Sequence, residues 1–310
     1  MRVVFLGSGQ FAVPSLEALI GAGHDVRAVV TQPDKEKGRG RGLAPPPVKP
    51  VALAHGLEVL QPRRIKAPEA LEALRARQPD VQVVVAYGQI LPRAVIDVAP
   101  LGTVNVHGSV LPRYRGAAPV QWAIVNGERE TGVSTMLIDE GLDTGPVLLT
   151  RTTPIGEEET APELEARLAR MGAELLVETL ASLASGKVEP QPQDHARATH
   201  APIIRKEDGR LDWTLPADVI ARRVRGFFPW PGTVTTLGGR ELKVVKARPL
   251  AGRGGAAAGQ VLAIERDGIV VASGEGTALL LTEVQPESRR AMPAAAFAAG
   301  ARIAPGTRLG

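Results

Sequence analysis

The sequence predicts an α/β fold: a doubly wound, mostly parallel open sheet followed by a smaller, OB-like β-barrel domain. Three observations carry that expectation. Through the first half of the 310 residues, short apolar runs alternate with stretches whose apolar side chains fall at helical spacing, as in β-α-β units. From Leu242 onward, short β-rich runs are separated by glycine clusters at regular intervals, as in small barrels. Between the two lies a stretch containing Pro, Gln and His that has no periodicity.

Taken in order, Val3 to Leu6 is a continuous apolar run that Gly7-Ser8-Gly9 ends. Pro14 then opens a segment with Leu16, Leu19 and Ile20 on one helix face. Val26 to Val30 reads as a second buried strand, Pro68 to Arg77 as a helix, and Val81 to Ala86 as a third strand. Val104 to Val106, the helix-like Pro119 to Asn126, and Val133 to Ile138 continue the parallel series. Leu164, Leu168, Met171, Leu175, Leu176 and Leu180 mark the apolar face of a long helix that Ser185-Gly186 terminates. Leu242 to Val245, Gln260 to Ile264, Ile269 to Ala272 and Ala278 to Thr282 are the expected barrel strands. The expected division is a first domain over 1–189, a linker over 190–206 and a second domain over 207–310.

Composition excludes several chemistries. The chain has no cysteine, which removes disulfides, thiolate zinc sites and cysteine nucleophiles and makes a reducing cytoplasm the natural compartment. The five histidines, at 24, 55, 107, 195 and 200, show no tight ligand spacing, so no metal centre is expected. His195 and His200 read as solvated linker residues. The opening apolar run stops at Gly7, too short for a signal segment or a membrane span, so the protein reads as soluble with no membrane partner. Thirty-seven Lys and Arg against 33 Asp and Glu leave a net charge of +4, which permits an anionic partner without demanding one. No obligate protein partner is implied.

Gly7-Ser8-Gly9-Gln10-Phe11-Ala12 fits a dinucleotide-binding turn, but the acidic residue that should close the second strand is missing from Val29-Val30-Thr31-Gln32-Pro33. A tight strand-to-helix turn is the favoured reading. Asn105-Val106-His107 is more informative, because alternate residues of a strand share a face and bring an amide and an imidazole to one point. Alone, each is as well read as a strand-end residue bonding local backbone. The glycine turn Asp139 to Pro146 also follows a strand and can present Asp143 inward, where its carboxylate would orient the imidazole.

Several stretches together resemble the folate-dependent formyltransferases that share the glycinamide ribonucleotide formyltransferase fold. They are Val4 to Gly9, the basic segment Gln32 to Lys49, Asn105 to Gln121 with its His-Gly-Ser-x-Leu-Pro-x-x-Arg-Gly pattern, and Asp139 to Gly145. Leu211-Asp212-Trp213 and Phe228-Pro229-Trp230-Pro231-Gly232 extend the likeness into the second domain. The resemblance implies a formyltransferase fold with catalysis and folate binding in the first domain. By it, Asn105, His107 and Asp143 are catalytic, and Ser109, Val110, Leu111 and Pro112 form the folate-contacting turn. The implied co-substrate is 10-formyltetrahydrofolate, with no metal and no nucleotide cofactor. The implied acceptor is the methionine amino group on charged initiator tRNA. A relative that formylates a sugar nucleotide or other small amine, a Rossmann oxidoreductase and a non-catalytic RNA-binding module remain rival readings.

For tRNA, the segment from Thr31 to Lys49 carries five cations, Lys35, Lys37, Arg39, Arg41 and Lys49, with interspersed glycines, and reads as a flexible arm that orders on phosphate contact. A solvated basic loop with no partner is its plain alternative. By the resemblance the loop touches tRNA. In the second domain Arg240, Lys243, Lys246 and Arg248 load one region with charge and offer a backbone-directed contact. The large aromatics near Trp213 and Trp230 are better read as buried packing than as stacking platforms.

Overall fold

Val3, Val4, Phe5 and Leu6 are each fully buried, as in a central strand covered on both faces. Val3 and Phe5 join one hydrophobic cluster and Val4 and Leu6 another, the alternation that a pleated strand imposes. The structure is a computed structural model and describes residues 1–37, 42–250 and 255–310. Two compact units divide it: Met1–Pro119 with Glu130–Pro154 and Glu165–Ala201, and Val120–Arg129 with Ile155–Leu164 and Pro202–Gly310.

In chain order the first unit runs through β1 (Arg2–Gly7), α1 (Val13–Gly21), β2 (Asp25–Val30), β3 (Lys35–Lys37), β4 (Gly42–Ala44), α2 (Val48–Ala54) and β5 (Val59–Leu60). It continues with α3 (Pro68–Ala76), β6 (Val81–Val85), α4 (Arg93–Ile96), β7 (Thr103–His107) and β8 (Arg115–Gly116). After α5 (Pro119–Val125), which lies mostly in the other unit, come β9 (Glu130–Leu137), β10 (Val147–Pro154), α6 (Ala161–Ala184) and β11 (His200–Ala201). The main sheet has the order β10-β9-β7-β6-β1-β2-β5. Residues of α1, α2 and α6 pack on one face, and residues of α3 and α4 on the other.

β1, β2, β5, β6 and β7 are parallel, and the chain reverses its direction of travel across the sheet at β1. Such a switch point opens a crevice at the carboxyl ends of the strands. Val133 to Ile138, expected to extend the parallel series, instead belongs to an antiparallel strand, with β9 opposed to both β7 and β10. A continuous apolar run reports burial on both faces and carries no sign of direction. The stretch expected as an aperiodic linker is not free at its start: Gln191 pairs with Val147, and β11 pairs in parallel with β8.

The second unit contains α7 (Ala217–Gly226), β12 (Thr233–Leu237), β13 (Arg240–Leu250), β14 (Val261–Glu265), β15 (Gly268–Ala272), β16 (Ala278–Pro286), β17 (Met292–Pro293) and α8 (Ala294–Ala301). Its antiparallel sheet has the order β12-β13-β16-β15-β14, which leaves β12 and β14 as edges. The last residues join them. Val261 N donates to Thr307 O, Leu309 N to Gly259 O and Gly310 N to Thr236 O, at 2.8, 2.8 and 3.0 Å. This closes the expected barrel and satisfies edge groups that would otherwise face solvent. Trp213 is buried in this core, its Nε1 donating to Thr235 Oγ1 at 2.9 Å. Among the described residues, no helix is long and apolar enough to cross a membrane.

Leu309 is buried in the same core as Trp213, Val244 and Leu281. Leu309→Ala should therefore destabilise the barrel by about 2–5 kcal/mol in chemical denaturation followed by tryptophan fluorescence. A loss well under 1 kcal/mol would mean that the tail does not close the barrel.

Candidate active site

β7 carries Asn105 and His107 on one face, as their spacing requires. His107 is buried, and its Nε2 lies 2.8 Å from the Tyr114 carbonyl. A carbonyl only accepts, so Nε2 holds a proton and Nδ1 is the nitrogen free to gain or lose one. Nδ1 faces Asp143, 3.7 Å from Oδ2. Asn105 is half-buried, and among the described residues its amide has no hydrogen-bond partner, so both donors are available.

The Asp143 turn is built differently from the expectation. Because β9 is antiparallel, the turn leaves the sheet beside the start of β7, where Ile138 N donates to Thr103 O, and must run back along β7 to reach His107. Asp139 closes it, its Oδ1 accepting from Gly141 N at 3.0 Å and Thr144 Oγ1 at 2.6 Å. The glycines serve this fold rather than a ligand: a Cβ on Gly141 would lie 1.9 Å from Thr144 Oγ1, and one on Gly145 1.8 Å from Leu137 O. Asp143 itself adopts φ 53°, and its Oδ2 accepts from Gly116 N at 2.8 Å.

Thus Gly108 to Ala118 anchors both partners, His107 through Tyr114 and Asp143 through Gly116. The loop is held in turn by the segment that follows α6: Tyr114 N donates to Thr199 Oγ1, Arg115 N to Thr199 O and Ala117 N to Ala201 O. Buried Arg115 donates to Gln193 Oε1, and its Nη1 lies 3.2 Å from His195 Nδ1. His195 is exposed, as its reading as a solvated residue expects, and in addition has Arg115 as a partner. Arg115 and Gly116 close the His-Gly-Ser-x-Leu-Pro-x-x-Arg-Gly pattern but were given no role, and Tyr114 and Gln193 were not singled out in the sequence; Tyr114 and Gly116 act through backbone atoms.

Of the proposed folate turn, Ser109 is fully buried and its hydroxyl donates to Arg113 O at 2.6 Å, so its side chain is spent inside the loop. Leu111 is buried too, its N–H donating to Ser134 Oγ. Val110 and Pro112 are half-buried. At the carboxyl end of β1, Ser8 Oγ donates to Tyr87 O at 3.1 Å and accepts from Gln32 N at 3.0 Å, which ties the ends of β1, β2 and β6 together. The tight-turn reading of Gly7-Ser8-Gly9 has this as its physical content.

A family model described as Formyl transferase matches residues 1–180, and one described as Formyl transferase, C-terminal domain, matches residues 203–302. The chain belongs to the formyl transferase family. It is 56% identical over 310 residues to the methionyl-tRNA formyltransferase of Solibacter usitatus, covering 100% of this chain and 99% of that protein. It is 50% identical to the protein of the same name from Citrifermentans bemidjiense, covering 100% and 96%. Among solved structures, the N-formyltransferase from Helicobacter canadensis, in complex with folinic acid and dTDP-3-aminofucose, shares the fold. That match has a TM-score of 0.67 and 18% identity and covers 92% of this chain and 99% of that one.

The cations of this formyl transferase divide by commitment. Lys35 is exposed on β3, and Lys37 ends that strand. Instead of a wholly irregular arm, β3 and β4 pair as an antiparallel hairpin; Arg39 and Arg41 lie outside the described residues. Lys49 is turned inward, its Nζ 2.8 and 2.9 Å from the Asp34 carboxylate oxygens. Hydrogen bonds from Lys49 and then Gln61 hold that carboxyl below its ordinary range. Arg240 is exposed at the β12–β13 turn; Lys243 donates to Pro229 O at 3.0 Å, and Lys246 lies 3.5 Å from Glu283. Trp230, expected as buried packing, is 59% exposed.

Gly116 has φ 121°, and a Cβ there would lie 2.6 Å from Ala201 O. Gly116→Ala should lower stability by about 1–3 kcal/mol through backbone strain alone, and turnover should fall further as the N–H that holds Asp143 shifts. Wild-type melting temperature and formyl-transfer rate in this variant would show that the close approach is not required.

Proposed function

We propose that this enzyme transfers the formyl group of 10-formyltetrahydrofolate to the free amino group of methionyl initiator tRNA, in the cytoplasm, giving formylmethionyl-tRNA for translation initiation. The observation that carries the reading is the set of three polar groups around β7: an uncommitted Asn105 amide, a His107 ring with Nδ1 open, and the Asp143 carboxylate beside that nitrogen.

The neutral amine attacks the formyl carbon, a C–N bond forms and the formyl oxygen becomes an oxyanion. Asn105 and protonated His107 supply the donors for it, already oriented before the charge develops. Collapse of this intermediate breaks the bond to the folate nitrogen. The proton lost by the attacking nitrogen passes to the departing one, with Asp143 relaying it through water and holding the imidazolium in place. Val110, Leu111 and Pro112 form the wall for the folate, with Ser109 shaping their turn from within.

For the acceptor, Lys35, Lys37, Arg39, Arg41 and Arg240 supply phosphate contacts. Lys246 joins them from the barrel at the expense of a weak contact to Glu283. Lys49 and Lys243 act indirectly, by holding Asp34 and the Pro229 turn.

Formylation assayed with charged initiator tRNA, charged elongator tRNA and a nucleotide-linked amino sugar tests the acceptor; the initiator should be preferred, and preference for the sugar would replace this reading with the small-amine one. Asn105→Ala should lower kcat by about a hundredfold or more with little change in melting temperature. An unaffected rate removes Asn105 from oxyanion binding. Arg240→Glu should raise the KM for tRNA and flatten the slope of log affinity against log salt by roughly one, while leaving the KM for formylfolate unchanged. An unchanged salt slope would take Arg240 out of the tRNA surface.

A further inference from the structure

We propose that Gln193 is a positioning residue for formyl transfer, setting Asp143 against His107 by gripping the backbone of the Asp143 turn. This rests on the assignment of Asp143 to proton handling. Gln193 lies in an irregular stretch that Gln191 docks on β10 through reciprocal backbone hydrogen bonds with Val147, both 2.8 Å. The residue is 8% exposed. Its Nε2 donates to Asp143 O at 2.9 Å and Gly145 O at 2.6 Å and lies 3.9 Å from Met136 Sδ. Its Oε1 accepts from Arg115 Nε at 3.1 Å and Nη2 at 2.7 Å.

Two donors and two acceptor positions are all that an amide possesses, and here all four are used. Its direction is fixed, because a guanidinium only donates and carbonyls only accept. Arg115 sits between Tyr114, which holds His107, and Gly116, which holds the Asp143 carboxylate. A closed circuit results: the carboxylate to Gly116, along the chain to Arg115, through Gln193 and back to the Asp143 carbonyl. Asp143 is thereby held at both ends while in the left-handed conformation that favours glycine. Without Gln193, the Asp143 and Gly145 carbonyls lose this partner, and the Asp143 end of the turn is left to the Gly116 contact and the Asp139 bonds to Gly141 and Thr144.

Gln193→Glu separates positioning from mere structure. It keeps the shape and the acceptors for Arg115 and adds an opposite charge, yet turns a second acceptor toward two carbonyls. The expected result is a kcat about 10- to 100-fold lower, as for a displaced catalytic group. Both KM values should stay within about twofold, and the melting temperature should be unchanged or higher. Wild-type kcat in a folded Gln193→Glu overturns the proposal, as does a loss of rate that disappears when the rate is counted per folded molecule. Should that variant fail to fold, Gln193→Met, which fills the space without donors or acceptors, carries the same expectation. Asp143→Asn in the same assay separates the two ideas. If Asp143→Asn is inactive while Gln193→Glu is normal, the positioning role alone falls. If Asp143→Asn is fully active, the proton-handling assignment falls, and this inference falls with it.

Discussion

The Tyr114 carbonyl and the Gly116 amide, two backbone groups on either side of Arg115, hold the imidazole and the carboxylate against each other. Most of the surrounding architecture maintains that contact. β7 delivers His107 to the sheet edge, the Asp143 turn doubles back to meet it, and the segment after α6 locks the intervening loop from outside. The carbonyl also fixes which ring nitrogen can exchange a proton. A side-chain partner for Nε2 could rotate away; a backbone carbonyl in a hydrogen-bonded loop does not, so Nδ1 stays turned toward Asp143.

The parallel core was legible in the sequence because β1, β6 and the second half of β2 are buried on both faces, and such strands announce themselves as largely apolar runs. The same property hid the reversal at β9. Asn105 and His107 were legible as a pair through the period of two, and Asp143 only as a member of a glycine turn. What the sequence did not reveal was what holds them. Tyr114 and Gly116 act through main-chain atoms, and Gln193 sits where there is no periodicity to mark it. The barrel strands from Leu242 onward were readable as short β-rich runs between glycine clusters, whereas the closure by Thr307 to Gly310 depends on backbone pairing between segments about fifty to seventy residues apart, a relation that composition cannot encode.

Charge gave a related lesson. A cluster of lysines and arginines in sequence reports capacity for an anion, not availability. Asp34, itself held by Gln61, takes Lys49 inward, and the Pro229 carbonyl takes Lys243, whereas Lys35 and Arg240 remain exposed. A cation already bonded inside the fold must break that contact before it reaches a phosphate, so its net contribution to RNA affinity is smaller than its charge suggests. Arg115 is the extreme case: buried and fully engaged, it belongs to the scaffold of the active site and not to any RNA-facing surface.

The two amides of the site make the general point most clearly. Gln193 and Asn105 offer the same donors and the same acceptor, yet one has every position filled and the other, among the described residues, has none filled. A buried polar group with all its partners stabilises one arrangement and has nothing left for a ligand. A half-buried donor without partners costs the folded state some stability, a cost that a developing oxyanion can offset at the moment of reaction. Satisfaction therefore separates the two amides better than residue type does: the filled one is scaffold, and the unfilled one is the donor that the proposed mechanism turns to the oxyanion.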